Sequence, residues 1–578
     1  MPVRNIDIAR IFNEIADLLE IDGENPFRIR AYRNAAMTIE NLSQDAAELV
    51  KQGEDLTKLP GIGHDLAQKI EDIVNGKEIN LLKNLEKKFP VDLVDLTRIP
   101  GLGAKKIKKL YDALDIKNID DLALAAQQQK IQKLPEFSIK TEKHILEEIN
   151  KIKKKYNRTS LPIAEKYALP IIEYLKKNPN IKNIEIAGSY RRKQETVGDI
   201  DILVTCENSS KVMKAFVNYD EVQEILSKGE TKSSVILKSG IQVDLRVVHQ
   251  KSYGAALLYF TGSKSHNIVI RKLAKQKKWK VNEYGLFEGE KFLVGESEEE
   301  IYKKLGLSYI EPELRENRGE IEAAMKGKLP KLIELSDIKG DLHVHTKLTD
   351  GRNSLEEMAE AAQKMGYEYI ASTEHSKHLT VAKGLDAQKL ADHIKKINKL
   401  NENLKNFTIL KGIEVDILED GSLDLPDEIL KELDIVVCAI HYKFNLPREK
   451  QTERVLRAMD NPYFNIFAHP TSRLINEREP CDMDMEQIMK KAKENNCILE
   501  INSQPSRLDL NDIHCKMAKD MGIKFAISTD SHSIDNYNNI RYGIGQARRG
   551  WIEANDVINT KNITELKKLL KKIINKKV

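Results

Sequence analysis

The sequence predicts a multidomain α+β protein with three parts. A helical amino-terminal region is followed by a mixed β-sheet with helices, and then by a carboxyl-terminal β/α barrel. Three observations carry this. Apolar residues recur at helical spacing over residues 4–50, and two Gly-x-Gly turns each open a helix further on. Near residue 200 a pair of aspartates two apart runs into an apolar strand, and a hairpin follows. After residue 340, short apolar runs ending in His, Asp or Glu alternate with helical stretches. A chain of 578 residues suits several domains, and 41% hydrophobic residues can give each a core. The boundaries expected are 1–90, 91–158, 159–250, 251–310, a linker over 311–339, and 340–578.

The amino-terminal region reads as helices with Ile8, Ile11, Phe12, Ile15, Leu18 and Leu19 on one face. Leu59-Pro-Gly-Ile-Gly63 then opens a helix that runs to Asn75-Gly76, and Ile99-Pro-Gly-Leu-Gly103 opens another over Ala104–Leu114. A Gly-x-Gly turn at a helix start presents backbone N–H groups to a phosphate. The two copies resemble helix-hairpin-helix motifs, which grip the DNA backbone without reading sequence. Gly61, Gly63, Gly101, Gly103 and Lys105 are the DNA-binding candidates. A degenerate third copy, Leu134-Pro-Glu-Phe-Ser138, has lost both glycines and reads as packing.

The middle region turns on Ala187-Gly-Ser-Tyr-Arg-Arg-Lys-Gln-Glu-Thr-Val-Gly-Asp-Ile-Asp201. Residues i and i+2 of a strand share a face, so Asp199 and Asp201 aim two carboxylates at one point. Asp244 is a third, on a strand joined to Ser233–Lys238 by a Ser-Gly turn. Three such carboxylates can hold two divalent ions, a pair that suits phosphoryl transfer. Gly188 permits close backbone approach to a phosphate, with Ser189 and Arg192 as donors.

These motifs together resemble the nucleotidyltransferase palm of the family X DNA polymerases, the beta-type enzymes of gap repair. The resemblance implies two Mg²⁺ or Mn²⁺ ions on Asp199, Asp201 and Asp244. It implies a dNTP site built from Gly188, Ser189, Arg192 and Gly198 and from the segment Leu258-Tyr-Phe-Thr-Gly-Ser263 with the helix after it. In that segment Tyr259 and Phe260 would crowd the sugar, Gly262 would belong to the same dNTP site, and Asn267 and Arg271 would reach the base pair or template. It also places Lys69 where the family carries a lysine that attacks the sugar at an abasic site. Asp65 stands one turn earlier, where the family usually has a lysine. Lys264 and His266 depart from the acidic and aromatic residues common in the animal enzymes.

Nine of the thirteen histidines fall after residue 340. His343, His345, Asp350, His375, Glu414, His441, His469, Asp530 and His532 are all placed as metal ligands, and imidazoles with carboxylates suit Zn²⁺, Mn²⁺ or Fe²⁺. Their order resembles the polymerase-and-histidinol-phosphatase (PHP) phosphoesterase domain. That implies two or three Mn²⁺ or Zn²⁺ ions and 3′-to-5′ exonuclease or abasic-site endonuclease action. His378, His393 and His514 read as surface residues, and the Lys-rich tail 561–577 as a solvated amphipathic helix.

The whole chain thus resembles a bacterial or archaeal family X polymerase with a carboxyl-terminal PHP domain. The implied partners are gapped or primer-template DNA and dNTPs. The rival readings are a DNA end-binding scaffold of weak catalysis, or a small-molecule phosphatase fused to a DNA-gripping module. The five cysteines make no CxxC pair, which points away from disulfides and zinc fingers, and no apolar run is long enough to span a bilayer. A monomer in the cytoplasm, associated with the nucleoid, is expected.

Overall fold

The computed structural model describes residues 5–40, 46–51, 53–59, 61–77, 79–99, 102–156 and 158–577. The chain forms two compact units. The first is residues 1–156 with the short segments 377–384 and 441–444; the second is the rest.

The first unit is helical. Helices α1 (Asn5–Asp22) and α2 (Pro26–Glu40) precede α3 (His64–Val74), α4 (Ala104–Leu114) and α5 (Ile139–Tyr156). One apolar cluster runs through all of it, from Ile8 and Phe12 of α1 to Ile145 and Ile149 of α5. The stretches expected as two domains therefore share a core.

In the second unit the palm is a five-stranded sheet. Its strands are β1 (Ile181–Ile186), β2 (Ile200–Cys206), β3 (Val222–Lys228), β4 (Lys232–Leu237) and β5 (Gln242–Val248), in the spatial order β1-β2-β5-β4-β3. Only β2 and β5 run parallel, so the sheet is mixed, as expected. Helices α6 (Tyr253–Thr261) and α7 (Lys264–Gln276) follow, with a three-stranded antiparallel sheet between Trp279 and Val294.

The segment 311–339 is not a solvated linker. It contains a short helix, α8 (Glu320–Met325), and Leu314, Ile321 and Ala324 join the core below α7. Its charges are buried in pairs: Arg315, fully buried, donates to Glu298 at 2.5 Å, and Glu320, also fully buried, faces His266 at 2.7 Å.

The barrel has seven parallel strands in chain order. They are β6 (Gly340–Val344), β7 (Tyr369–Ser372), β8 (Thr408–Asp416), β9 (Ile435–Ala439), β10 (Ile466–Phe467), β11 (Ile498–Asn502) and β12 (Phe525–Ser528). Every strand residue but Thr408 and Lys411 is buried, the near-continuous apolar character of a parallel sheet covered on both faces. Past the end of β12 a Val344–Ser531 bridge meets the end of β6, where His345 N–H donates to Ser531 O at 2.8 Å. Helix α9 (Ala387–Asn401) turns His393 inward onto the Ser372 hydroxyl at 2.9 Å, so His393 is a core residue and not a surface one. His514 and His378 are half-buried. Helix α10 (Ile540–Arg549) and the tail helix α11 (Ile563–Lys577) close the chain; Leu566 and Leu570 of α11 pack into the barrel core. Among the described residues no helix is long and apolar enough to cross a membrane.

Candidate active sites

In the first unit, Gly63 and Gly103 cap α3 and α4 in extended backbone, and no side chain caps either helix. Both glycines and Lys105 are exposed, so a phosphate can approach the first-turn N–H groups. Gly61 takes a left-handed φ of +77° in the first hairpin; its counterpart Gly101 lies outside the described residues. Lys69 ion-pairs with Asp65 one turn before it. Burial raises the phenol of nearby Tyr32, on which Lys69 and Asp65 both act.

In the palm, Asp201 of β2 stands opposite Asp244 of β5 in parallel register, with Asp199 just before β2. Burial and the neighbouring anions Asp199 and Asp244 push Asp201 up to about 7. Burial and Asp244 also raise Asp199. Burial opposes the Asp244 anion too, but hydrogen bonds from Gln242, Lys232 and Ser234 outweigh it and hold that carboxyl below its usual range. Like charges crowded in a half-dry cleft favour a bound cation. That donor set fits divalent ions.

The phosphate loop lies against this triad. Gly188 has φ +63°, and a Cβ there would meet an Asp201 carboxylate oxygen at 2.5 Å. The carboxylate thus requires glycine at this position. Arg192 donates Nη1 to the Thr261 carbonyl at 2.5 Å, beside Gly262, whose Cβ would meet it at 3.2 Å. A Cβ on Gly198 would meet the Arg158 guanidinium at 3.3 Å. Tyr259 and Phe260 stand edge to face, 5.1 Å apart, and Phe260 carries the Arg246 guanidinium 4.3 Å above its ring. Asn267 donates to the Tyr259 carbonyl at 2.7 Å, which fixes α7 against that pair. Arg271 is exposed on the same helix. Ser189 is partly exposed in the loop. His266 does not face a base: it is fully buried between Glu320 and the Tyr302 hydroxyl at 2.9 Å.

In the barrel, the strand ends gather the expected ligands. His345, Asp350, His375 and His532 form one group, and His343, His345 and Asp530 another, with the ligand atoms of each group within 4.8 Å of one another. Glu414 lies between: Oε1 is 3.0 Å from His469 and 3.5 Å from His343, and Oε2 is 2.8 Å from His375 and 3.5 Å from His345. His441 follows β9 by two residues, in the segment 441–444.

Burial, His375 and His532 push His345 down to about 3, so its imidazole is neutral, the ligating form. Both its ring nitrogens, and His343 Nε2, are buried without a hydrogen-bond partner among the described residues. Burial opposes the Asp350 anion, but hydrogen bonds from His375 and His532 hold it well below the usual range. These orphaned nitrogens and anions fit divalent metal.

Sequence reasoning missed the residues that orient this set. Glu500 of β11 accepts from His343 Nδ1 and from His469 N–H, at 2.7 and 2.8 Å. Glu374 accepts from the hydroxyls of Thr346 and Thr349, each at 2.5 Å. Asp341, buried and pushed up to about 6, accepts from Thr529. The only signal was an acidic residue inside an apolar strand run, which a buried sheet tolerates only when the acid is bonded.

A palm with three converging carboxylates, joined to a barrel with a histidine-rich metal centre, defines a two-centre phosphodiester enzyme of the polymerase and nuclease class. Family comparisons agree over the chain. Residues 164–279 match DNA polymerase beta palm and residues 256–316 match DNA polymerase beta thumb. Residues 341–504 match the PHP domain. Residues 3–79 match a helix-hairpin-helix domain and residues 93–151 a SAM-like helix-hairpin-helix tandem. The chain is 38% identical to the DNA polymerase/3'-5' exonuclease PolX of Bacillus subtilis (strain 168), over 98% of this chain and 99% of that one. Its barrel is 30% identical to a probable phosphatase of Thermoanaerobacter sp. (strain X514), over 40% of this chain and 94% of that one. A probable phosphatase of Clostridium novyi (strain NT) is 31% identical over 35% of this chain and 83% of its own. The chain belongs to the PolX family of family X DNA polymerases with a carboxyl-terminal PHP domain.

Proposed function

We propose that this chain fills short gaps in DNA during base excision repair and that its barrel trims 3′ ends, or incises abasic sites, at the second centre. The Asp199–Asp201–Asp244 triad beside a glycine that only an unsubstituted backbone can occupy carries the polymerase reading. Those carboxylates hold two Mg²⁺ or Mn²⁺ ions, which when bound neutralise charge developing on the attacking and leaving oxygens. Gly188, Ser189, Arg192 and Gly198 cradle the triphosphate. Tyr259 and Phe260 crowd the sugar, with Gly262 behind them. Asn267 and Arg271 face the base pair or template. The exposed hairpin glycines and Lys105 grip duplex backbone.

In the barrel, the nine ligands including His441 hold two or three ions, with Mn²⁺ or Zn²⁺ better suited than Mg²⁺ to an imidazole-rich set. Glu500 fixes the tautomer of His343. Fusion to DNA-gripping helices favours a DNA end over a free phosphate ester. Lys69 is the residue a lyase step would use, and borohydride trapping on abasic DNA, lost in Lys69→Ala, tests that role. One chain carries both centres, so the reading needs no second copy.

The central experiment is a 5′-labelled gapped duplex, with and without dNTPs, under Mg²⁺ and Mn²⁺. Asp201→Ala is expected to abolish nucleotide addition and to retain DNA binding and trimming. His343→Ala with His345→Ala is expected to abolish trimming and spare addition. Addition persisting in Asp201→Ala, or trimming persisting in the double variant, overturns the corresponding half. Release of phosphate from histidinol phosphate without any action on DNA favours the small-molecule phosphatase instead.

A further inference from the structure

The palm's phosphate loop rests on the barrel through a charge network in which only Arg192 belongs to either centre. One carboxylate oxygen of Glu316 accepts from Arg192 Nε at 3.0 Å, from Gln194 Nε2 at 2.6 Å and from Arg549 Nη1 at 3.0 Å. Arg549, on α10 of the barrel half and 4% exposed, also donates to the Arg192 backbone carbonyl at 2.8 Å. Its other nitrogen is held by Asp512 at 2.5 Å, and Asp512 in turn binds Arg318 at 2.8 Å. Two residues past Gln194's neighbour Lys193, the contact is repeated: Glu195 is paired with Arg473 at 2.6 Å. Glu165, on the helix before β1, is paired with Arg541 at 2.8 Å and accepts from the Tyr542 hydroxyl.

Packing follows the charges. A Cβ on Gly545 of α10 would stand 3.3 Å from Lys193 Cβ, so the helix lies directly against the loop. Leu508 and Tyr542 of the barrel half belong to the palm's own apolar core. Burial disfavours the Glu316 anion, but Arg192 and Arg549 outweigh it and hold that carboxyl below its usual range. A loop that must place one guanidinium on a triphosphate needs its side chain fixed by partners that do not touch the substrate. Glu316 takes the inner edge of Arg192 through Nε, and Thr261 takes Nη1, so the remaining N–H groups keep one direction.

We propose that Glu316 and Arg549 are positioning residues for Arg192, so that the barrel half sets the geometry of the polymerase's triphosphate cradle. This rests on the reading of Arg192 as a triphosphate contact. It makes the barrel necessary to nucleotide binding even when its own metal centre is disabled.

The test is steady-state single-nucleotide insertion by the full-length protein on gapped DNA. Arg192→Ala first checks the premise; an unchanged KM for dNTP there overturns premise and inference together. Given a raised KM in Arg192→Ala, Glu316→Gln is expected to raise KM about fivefold, the size of one lost charge-assisted hydrogen bond, with kcat little changed. Arg549→Met is expected to do the same, and Arg549→Lys to recover part of the loss. In the Arg192→Ala background Glu316→Gln should add nothing further, because it acts only through that arginine. Trimming of 3′ ends is expected to stay at the parent value in Glu316→Gln, measured at a temperature where the variant is folded. Additive losses in the double variant, or an unchanged KM in both Glu316→Gln and Arg549→Met, overturn the inference. Should Arg549→Met fail to fold, Arg549→Lys and the near-isosteric Glu316→Gln carry the same comparison.

Discussion

The Asp201 carboxylate occupies the space a side chain on Gly188 would need, 2.5 Å from where its Cβ would stand. Gly188→Ala therefore has two costs: a left-handed backbone of about 1–2 kcal/mol for an L-residue, and displacement of the central carboxylate. A shift of that size in a catalytic group is expected to lower nucleotide insertion by about 100-fold. Insertion kinetics with a matched circular-dichroism melt check this; a folded variant inserting at the parent rate refutes it.

Glu500 holds the Nδ1 of His343. Glu500→Gln keeps the shape and loses the anion, and metal affinity at the barrel is expected to fall about 10–100-fold, as for other carboxylate–histidine–metal arrangements. Competition with a chromophoric chelator measures it. Nucleotide insertion should not change, since Glu500 lies in β11 of the barrel and the palm carboxylates lie at the start of β2 and in β5.

The two glycine-capped hairpins should bind duplex DNA without regard to sequence. Log affinity should fall with log salt by about 0.9 per phosphate neutralised. Gly63→Val with Gly103→Val should flatten that slope, because a branched side chain blocks phosphate approach to the first-turn N–H groups. Fluorescence anisotropy across a salt series reads it, and an unaltered slope makes the hairpins structural only.

His266 provides a pH test. Burial lowers its titration, despite the opposing pull of Glu320, and the neutral ring donates to Glu320 while accepting from Tyr302. Because the folded value is depressed, the unfolded chain takes the proton first as pH falls. Stability is then full above about 6.5 and is lost below it, by up to about 1.4 kcal/mol per pH unit until the folded value is reached. Glu320, also lowered in the fold, adds a loss only at pH below the usual glutamate range. Thermal melts from pH 7.5 to 5 should show a steeper decline in the parent than in His266→Gln. Parallel curves contradict the assignment.

Much of this was legible in the chain. The Asp-x-Asp pair, its hairpin partner and the strand-end histidines depend on spacings of two and on chain order, which a sequence displays directly. The residues that failed to show were those whose meaning depends on distant partners. Glu500 lies 157 residues from His343, and nothing local links them. The charged run 311–339 looks solvated until Arg315 meets Glu298 and Glu316 meets Arg549. His393 on an amphipathic helix looks exposed until Ser372 supplies its buried bond. Polar residues inside a fold are recognised by their partners, and partners are a property of three dimensions.

The seam of the barrel has a consequence of its own. The first and last strands touch where the chain ends of β6 and β12 carry His343, His345, Asp530 and His532, and the Val344–Ser531 bridge sits among them. Four of the nine candidate ligands thus stand across the join itself, like a clasp sewn into the join of a sleeve. Two segments nearly two hundred residues apart in the chain meet here, so their contact bears the entropy of closing a large loop. A chelator should therefore open a structural fastening as well as silence a centre. Hydrogen exchange at the β6 and β12 edges should quicken on stripping, while the β8–β9 pair, far round the sheet, stays protected.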